Sequence, residues 1–178
     1  IFEYSTWKFG ATKEVMQQAD GIEIKIWQAA KAWMWGHLPW DKVTEEIAKV
    51  RHVEQWKTVM SPANHIDINN KEELKIKVEY LKDISKGKPV GIKFAAWNVE
   101  ADLKVALYAK PNFITIDCRW WATGAAPTHV KDSVCIPAPF VTYRARKYLD
   151  ENWFKDVTLI ITWGIRTSSD IAKTLAMW

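Results

Sequence analysis

Four short β-rich runs stand out along the chain, and in the first three apolar and polar side chains alternate with a period of two. The four are Ile22 to Ile26 (IEIKI), Pro89 to Ala95 (PVGIKFA), Phe113 to Cys118 (FITIDC) and Val157 to Trp163 (VTLIITW). That period is the signature of a strand whose two faces meet different surroundings. A weaker fifth run is TVM at Thr58 to Met60. Between these runs the apolar spacing is helical, over Asp41–Val53, Asn70–Ser85, Val99–Ala109, Pro139–Glu151 and Thr167–Met177. Two of the helices carry start signals. Asn70 stands three residues before Glu73, and Thr167 three before Asp170, the spacing of a capping box.

Strand and helix thus alternate about five times, which predicts a parallel α/β sheet with helical crossovers. The faces choose between an open doubly wound sheet and a barrel. Ile22, Ile24 and Ile26 oppose Glu23 and Lys25; Ile92 and Phe94 oppose Gly91, Lys93 and Ala95; Ile114 and Ile116 oppose Thr115 and Asp117. A doubly wound sheet is greasy on both faces, whereas a barrel covers only its outer face with helices. The pattern therefore predicts a TIM (β/α)8-type barrel, with Lys25, Lys93 and Asp117 opening on one cavity at the strands' C-terminal ends. Solvated strand ends are the plainer reading of each residue taken alone.

Composition narrows the classes. The 178 residues suffice for one core, and no linker, internal repeat or low-complexity tract divides them. No run approaches the roughly 18 apolar residues of a membrane span. The net charge of +4 is dispersed, with no basic block, which argues against a nucleic-acid partner. Cys118 and Cys135 offer neither a metal pair nor a disulfide framework, so a reducing cytoplasm is the expected setting. The first residue, Ile1, suggests a piece of something longer. Two counts are unusual: 12 tryptophans and only 7 glycines.

Candidate chemistry clusters after the strands. Lys25, Gln28 and Lys31 recur at intervals of three and could hold an anion or polarise a carbonyl. His37 could exchange a proton near neutral pH. His65 and Asp67 in SPANHIDI lack the companions a metal would need. ATGAAPT (122–128) and WGIRTSSD (163–170) are loops directly after strands, the second leading into a helix N-terminus, where barrels commonly hold phosphate. Solvated lysines and an exposed histidine are the bland alternatives.

Together these segments resemble the flavin-binding barrel domain of glutamate synthase large subunits of the archaeal type. The family pattern I-x-I-K-I-x-Q-G-A-K-P-G-x-G-G-H/Q-L-P-G keeps Lys25, Gln28, Ala30, Lys31, Gly36, His37, Leu38 and Pro39 here. The resemblance continues through SPANHIDI, KPVGIKFAAWNVEA, FITIDCRWWATGAAPT and IITWGIRTSSDIAKTLAMW. Trp33, Trp35, Trp40, Trp120, Trp121 and Trp163 fall on family glycines, and Trp7, Trp56, Trp153 and Trp178 fit the same substitution. Glycine there supplies positive φ and close backbone approach to phosphate. Either these loops are still built for glycine, or the domain is mutated or decayed at its phosphate loops. The first predicts positive φ at the tryptophans.

The resemblance implies FMN as cofactor and reductive amination of 2-oxoglutarate through 2-iminoglutarate, with hydride from reduced flavin. It places Lys25 and Gln28 against flavin and the reacting carbon. Lys31, His37 and Arg51 become the keto-acid anchors, although relatives often carry glutamine at the His37 position. Lys93 falls under the flavin, and Gly164, Ile165 and Arg166 at its phosphate. It also implies an ammonia-supplying glutaminase domain or subunit, an electron-donor subunit, and an iron–sulfur cluster whose ligands lie outside this chain. Residues 1–178 then read as an incomplete barrel, with about five of eight βα units. Two other readings stay open: an FMN barrel oxidising 2-hydroxy acids, and a tryptophan-rich scaffold that has lost flavin. The anchor set favours the synthase over the hydroxy-acid enzyme.

Overall fold

The computed structural model describes residues 1–26, 36–119 and 127–177, with only the backbone of residue 131. The elements run β1 (Phe2–Tyr4), α1 (Lys13–Gln18), β2 (Ile22–Lys25), β3 (His37–Leu38), a 3-10 turn (Trp40–Lys42), α2 (Glu45–Arg51) and β4 (Val59–Met60). They continue with α3 (Lys71–Ile84), β5 (Val90–Ala95), α4 (Val99–Tyr108), β6 (Phe113–Asp117), α5 (Thr128–Ser133), α6 (Ala138–Glu151), β7 (Thr158–Thr162) and α7 (Ser168–Ala176). None of the described helices is long and apolar enough to cross a membrane.

Five strands make one all-parallel sheet in the order β1-β2-β5-β6-β7. Spatial neighbours follow chain order once β3 and β4 are set aside, as in the wall of a barrel. Among the described residues the wall does not close, and β1 and β7 are its edges.

One face of the sheet is apolar and covered by helices. Ile22, Ile24, Val90, Ile92, Phe94, Ile114, Ile116 and Leu159 form a single core with Leu74, Val78 and Leu81 of α3, Val99 and Leu103 of α4, and Val141, Ala145 and Leu149 of α6. Each of these side chains larger than alanine contributes about 1.5–3 kcal/mol by leaving water. Truncating one of the fully buried residues, as in Ile114→Ala, should cost about 2–5 kcal/mol through lost burial and the cavity left. The other face carries Glu23, Lys25, Lys93, Thr115 and Asp117, so the strand alternation is that of a barrel wall.

Local chemistry sets the helix limits. Asn70 Oδ1 accepts from Glu73 N at 2.8 Å, but the Glu73 carboxylate returns to Asn69 N, at 2.6 Å, one residue earlier than a capping box requires. Thr167 and Asp170 complete the full reciprocal box. At α2, the Thr44 side chain accepts from Ile47 N and Glu45 and Glu46 follow, while His52 closes the helix in the left-handed conformation.

Four elements lay beyond the sequence pattern: β1, α1, β3 and α5. Three residues are too few for β1 to show a period. The run at Thr58 to Met60 does not join the parallel sheet. Its Val59–Met60 pairs antiparallel with His37–Leu38 in a separate ribbon, a non-local pairing that alternation along one strand cannot report.

Candidate active site

The charged face is a connected network. The register sets Lys25 beside Lys93 and Lys93 beside Thr115 across β2, β5 and β6, and sets Glu3 beside Glu23 across β1 and β2. Lys93 Nζ lies 2.6 Å from Glu3 and 2.8 Å from Glu23, and Lys25 Nζ lies 3.1 Å from the other oxygen of Glu3. Thr115 donates its hydroxyl to Glu23 at 2.5 Å. Farther along β6, the buried Asp117 accepts from the Thr162 hydroxyl of β7. Lys25, Lys93 and Asp117 therefore do share one side of the sheet toward the strands' C-terminal ends.

Electrostatics follow from this geometry. Burial pulls the Lys93 ammonium down, but its hydrogen bonds to Glu23 and Glu3 outweigh it and leave the pKa raised. Glu3 mirrors this: burial would raise it, yet Lys93 and Lys25 hold it below the ordinary value. Asp117 goes the other way, raised by burial against the opposing bond from Thr162. Gly91 makes the packing possible, since a Cβ there would meet the Phe113 ring at 2.1 Å.

The remaining expected site residues are not all gathered here. Gln28 and Lys31 lie outside the described residues. His37 is an exposed residue of β3. Arg51, expected at the cavity of the lysines, ends α2 with its guanidinium 4.8 Å over the Phe9 ring. It lines a groove with Phe2, Phe9, Val15 and Val50 whose lining includes none of Lys25, Lys93 and Asp117. The stacking on Phe9 draws it there.

The turn from β7 into α7 holds Gly164, Ile165 and Arg166. Gly164 has φ +72°, and the preceding Trp163 has φ +67°. Two amides just ahead of α7 are already satisfied: Asp170 accepts from Arg166 N at 3.1 Å and from Thr167 N at 3.2 Å, with the Arg166 guanidinium 3.6 Å away. A carboxylate therefore stands where an anionic ligand would meet those amides.

The tryptophans divide into two kinds. Trp56, Trp153 and Trp163 have φ of 57°, 62° and 67°, a region L side chains rarely adopt, and their rings are at least half exposed. Trp7 and Trp40 are not among the positive-φ residues. Trp7 packs against Phe9 in a tilted pair, ring centroids 4.4 Å apart, and covers Gly36, where a Cβ would come within 2.3 Å of its ring. Trp33, Trp35, Trp120, Trp121 and Trp178 lie outside the described residues. The backbone at three of the five describable positions is thus glycine-like.

Sequence reasoning missed Glu3 and Thr162, and treated Glu23 only as a polar alternation. The shared face of Glu23 with Lys25, Lys93, Thr115 and Asp117 on β2, β5 and β6 was the available signal for Glu23. Glu3 had none, because β1 is too short to be seen.

A parallel βα wall with apolar helices outside and ion-paired side chains inside defines the barrel class of α/β proteins. The family model described as the conserved region in glutamate synthase matches residues 1–178, and the chain belongs to that family. It is 34% identical over 180 residues to the archaeal-type glutamate synthase [NADPH] of Thermotoga maritima, covering 99% of this chain and 36% of that protein. The archaeal glutamate synthase [NADPH] of Methanocaldococcus jannaschii is likewise 34% identical, over 99% of this chain and 35% of its own length. A glutamate synthase large subunit-like protein of Rhizobium meliloti is 26% identical over 99% of the chain and 40% of its own. The chain thus spans little more than a third of the first relatives it matches.

Proposed function

We propose that residues 1–178 form part of the FMN-binding barrel of a cytoplasmic glutamate synthase that reductively aminates 2-oxoglutarate. The observation that carries this reading is the ion-paired Lys25–Glu3–Lys93–Glu23 network on the inner face, in a chain of this family. The donor set fits the flavin ring. Lys93 keeps its proton and stays cationic, and it suits an electron-rich ring edge. FMN, when bound, supplies the hydride chemistry. Lys25 is held by Glu3 beside it, suited to orienting the reacting carbon together with Gln28. Asp117 keeps a proton more readily than an ordinary carboxyl group, although the Thr162 hydroxyl donates to it. In this reading the keto-acid carboxylates go to Lys31, His37 and Arg51, and Arg51 must leave its stack on Phe9 to reach them. Gly164, Ile165 and Arg166 take the phosphate. Ammonia comes from a glutaminase domain or subunit, and electrons come through a donor subunit and an iron–sulfur cluster ligated outside this chain; the relatives' names carry NADPH, which is taken as the electron source.

A second reading has an observation of its own. Asp170 already accepts from Arg166 N and Thr167 N, and Trp163 stands in the turn before them with φ +67°. A scaffold without flavin fits that arrangement. Titration of the intact protein with FMN separates the two. Visible flavin bands that move on binding, with affinity lost in Lys93→Met, support the synthase. Colourless protein that takes up no added FMN supports the scaffold.

A further inference from the structure

His65 lies in the loop between β4 and α3 and is 4% exposed. Its Nε2 is 2.9 Å from the carbonyl oxygen of Lys25. A carbonyl can only accept, so Nε2 carries the proton and Nδ1 keeps its lone pair. Among the described residues Nδ1 has no hydrogen-bond partner. The ring lies flat on Tyr4, the last residue of β1, with centroids 5.7 Å apart and planes within 1°.

Its position in the ladder explains the contact. Successive peptide units of a strand point to alternate sides. The Ile26 N–H goes to Lys93 O on the β5 side, at 2.8 Å, so the Lys25 carbonyl faces β1. The pairing of β1 with β2 stops at Tyr4 and Ile24. A carbonyl on the edge of the site is left beyond the end of the ladder, and the imidazole takes the place of the missing strand amide. The loop carrying His65 is itself pinned. Asp67 meets Lys8 at 3.0 Å, from the turn after β1, and Lys77 of α3 at 2.7 Å. Both ammonium groups also lie over the Tyr4 ring, at 5.9 and 5.7 Å.

We propose that His65 is a positioning residue: it holds the Lys25–Ile26 peptide from the carbonyl side, while β5 holds it from the amide side. That fixes the direction in which the Lys25 side chain leaves β2 toward the inner face. The consequence for ligand binding rests on the flavin reading above; the clamp itself does not. Burial keeps His65 below its ordinary pKa, so the neutral ring with one donor persists at neutral pH.

The test uses the intact protein with two variants. His65→Phe keeps a ring for Tyr4 and removes the donor; His65→Gln keeps an N–H for the carbonyl and removes the ring. Hydrogen exchange at the Ile26 amide reads the clamp directly, FMN titration reads its effect, and the thermal midpoint reads general stability. His65→Phe is expected to speed exchange at Ile26 and weaken FMN binding by roughly tenfold, the equivalent of one hydrogen bond. His65→Gln should return both to near the parent values. A His65→Phe protein with a lower midpoint but unchanged exchange and FMN affinity would overturn the proposal and leave a plain core histidine. If His65→Phe does not fold, His65→Gln decides alone, since fast exchange at Ile26 in that variant also overturns it. If the parent takes up no FMN, the flavin reading falls, and exchange at Ile26 still decides the clamp.

Discussion

Two places in this molecule gather charged groups, and they do it differently. At the strand ends, Glu3, Glu23, Lys25 and Lys93 come from three separate strands and meet only because the sheet's register sets them side by side. Lys25, Lys93 and Glu23 are shielded there, with side-chain exposures of 11–15%. At the start of α7 every participant lies within residues 163–170, and the Arg166 side chain is 64% exposed. The first arrangement is costly to disturb, because its charges have lost water and depend on one another. The second is a local motif that satisfies its own amides, so its helix dipole is partly spent before any ligand arrives. Both regions pair basic side chains with carboxylates. Only the first has charges held by the fold.

The largest effect should come from breaking the strand-end network. Lys93→Met removes the cation that separates Glu3 from Glu23, and denaturant unfolding should show a loss of about 3 kcal/mol, as for other broken buried pairs. Adding Glu23→Gln should recover part of it, because the uncompensated carboxylate is then gone. A loss well under about 1 kcal/mol would mean the face behaves like open surface.

The tryptophans offer a test of smaller size and opposite sign. A left-handed backbone costs an L residue about 1–2 kcal/mol, and glycine gives back about half to one through its freer unfolded chain. Trp153→Gly and Trp163→Gly should therefore stabilise the protein by up to about 1 kcal/mol each, since both positions have φ above 60° and both side chains are at least half exposed. Trp7→Gly should do the reverse, because that ring packs on Gly36 and Phe9. Thermal midpoints of the three variants would settle it. Destabilisation by all three would show that the exposed indoles are supported after all.

What the sequence revealed follows the same division. Strands β2, β5, β6 and β7 and helices α3, α4, α6 and α7 were legible, because a period of 2 or 3.6 is written in neighbouring residues. The common side of Lys25, Lys93 and Asp117 was legible for the same reason. The partners of those lysines were not, since a pairing such as Glu3 with Lys93 spans 90 positions and depends on a strand of three residues. Arg51 shows the converse. A motif marked it as an anchor, but a motif does not show that Phe9 stands within stacking distance.

A local cap should respond to a local change. Thr167→Ala removes the acceptor for Asp170 N and should cost about 1 kcal/mol, close to the usual worth of a threonine cap. Exchange should quicken in the first turn of α7 and stay unchanged at Ile26. If the strand-end network loosened as well, the two regions would be coupled, and the contrast drawn here would fail.

The smallest effect is expected from pH, and it separates the two regions without any mutation. Beside the strand ends, burial holds His65 below its ordinary value of about 6.5, against the bond to the Lys25 carbonyl and the charge of Asp67, which favour the proton. Lys8 and Lys77 also face it, and both disfavour a second positive charge. The unfolded chain therefore binds this proton more readily than the folded one. The stability it contributes is complete above about pH 6.5 and is lost as pH falls through the depressed folded value. At the start of α7, the Arg166 amide holds Asp170 below the usual carboxylate value. Its contribution persists above about pH 3.8 and goes only in stronger acid, as does that of Asp67, held to about 2 by Lys77 and Lys8 against burial. Asp117 opposes both, because its raised folded pKa adds stability in acid that is lost as pH rises. A titration of thermal midpoints should therefore show a shallow loss just below pH 6.5 that His65→Gln abolishes, and a separate loss in stronger acid that the variant keeps. An unaltered upper step in His65→Gln would assign it to another group and remove His65 from the acid response of the strand-end region.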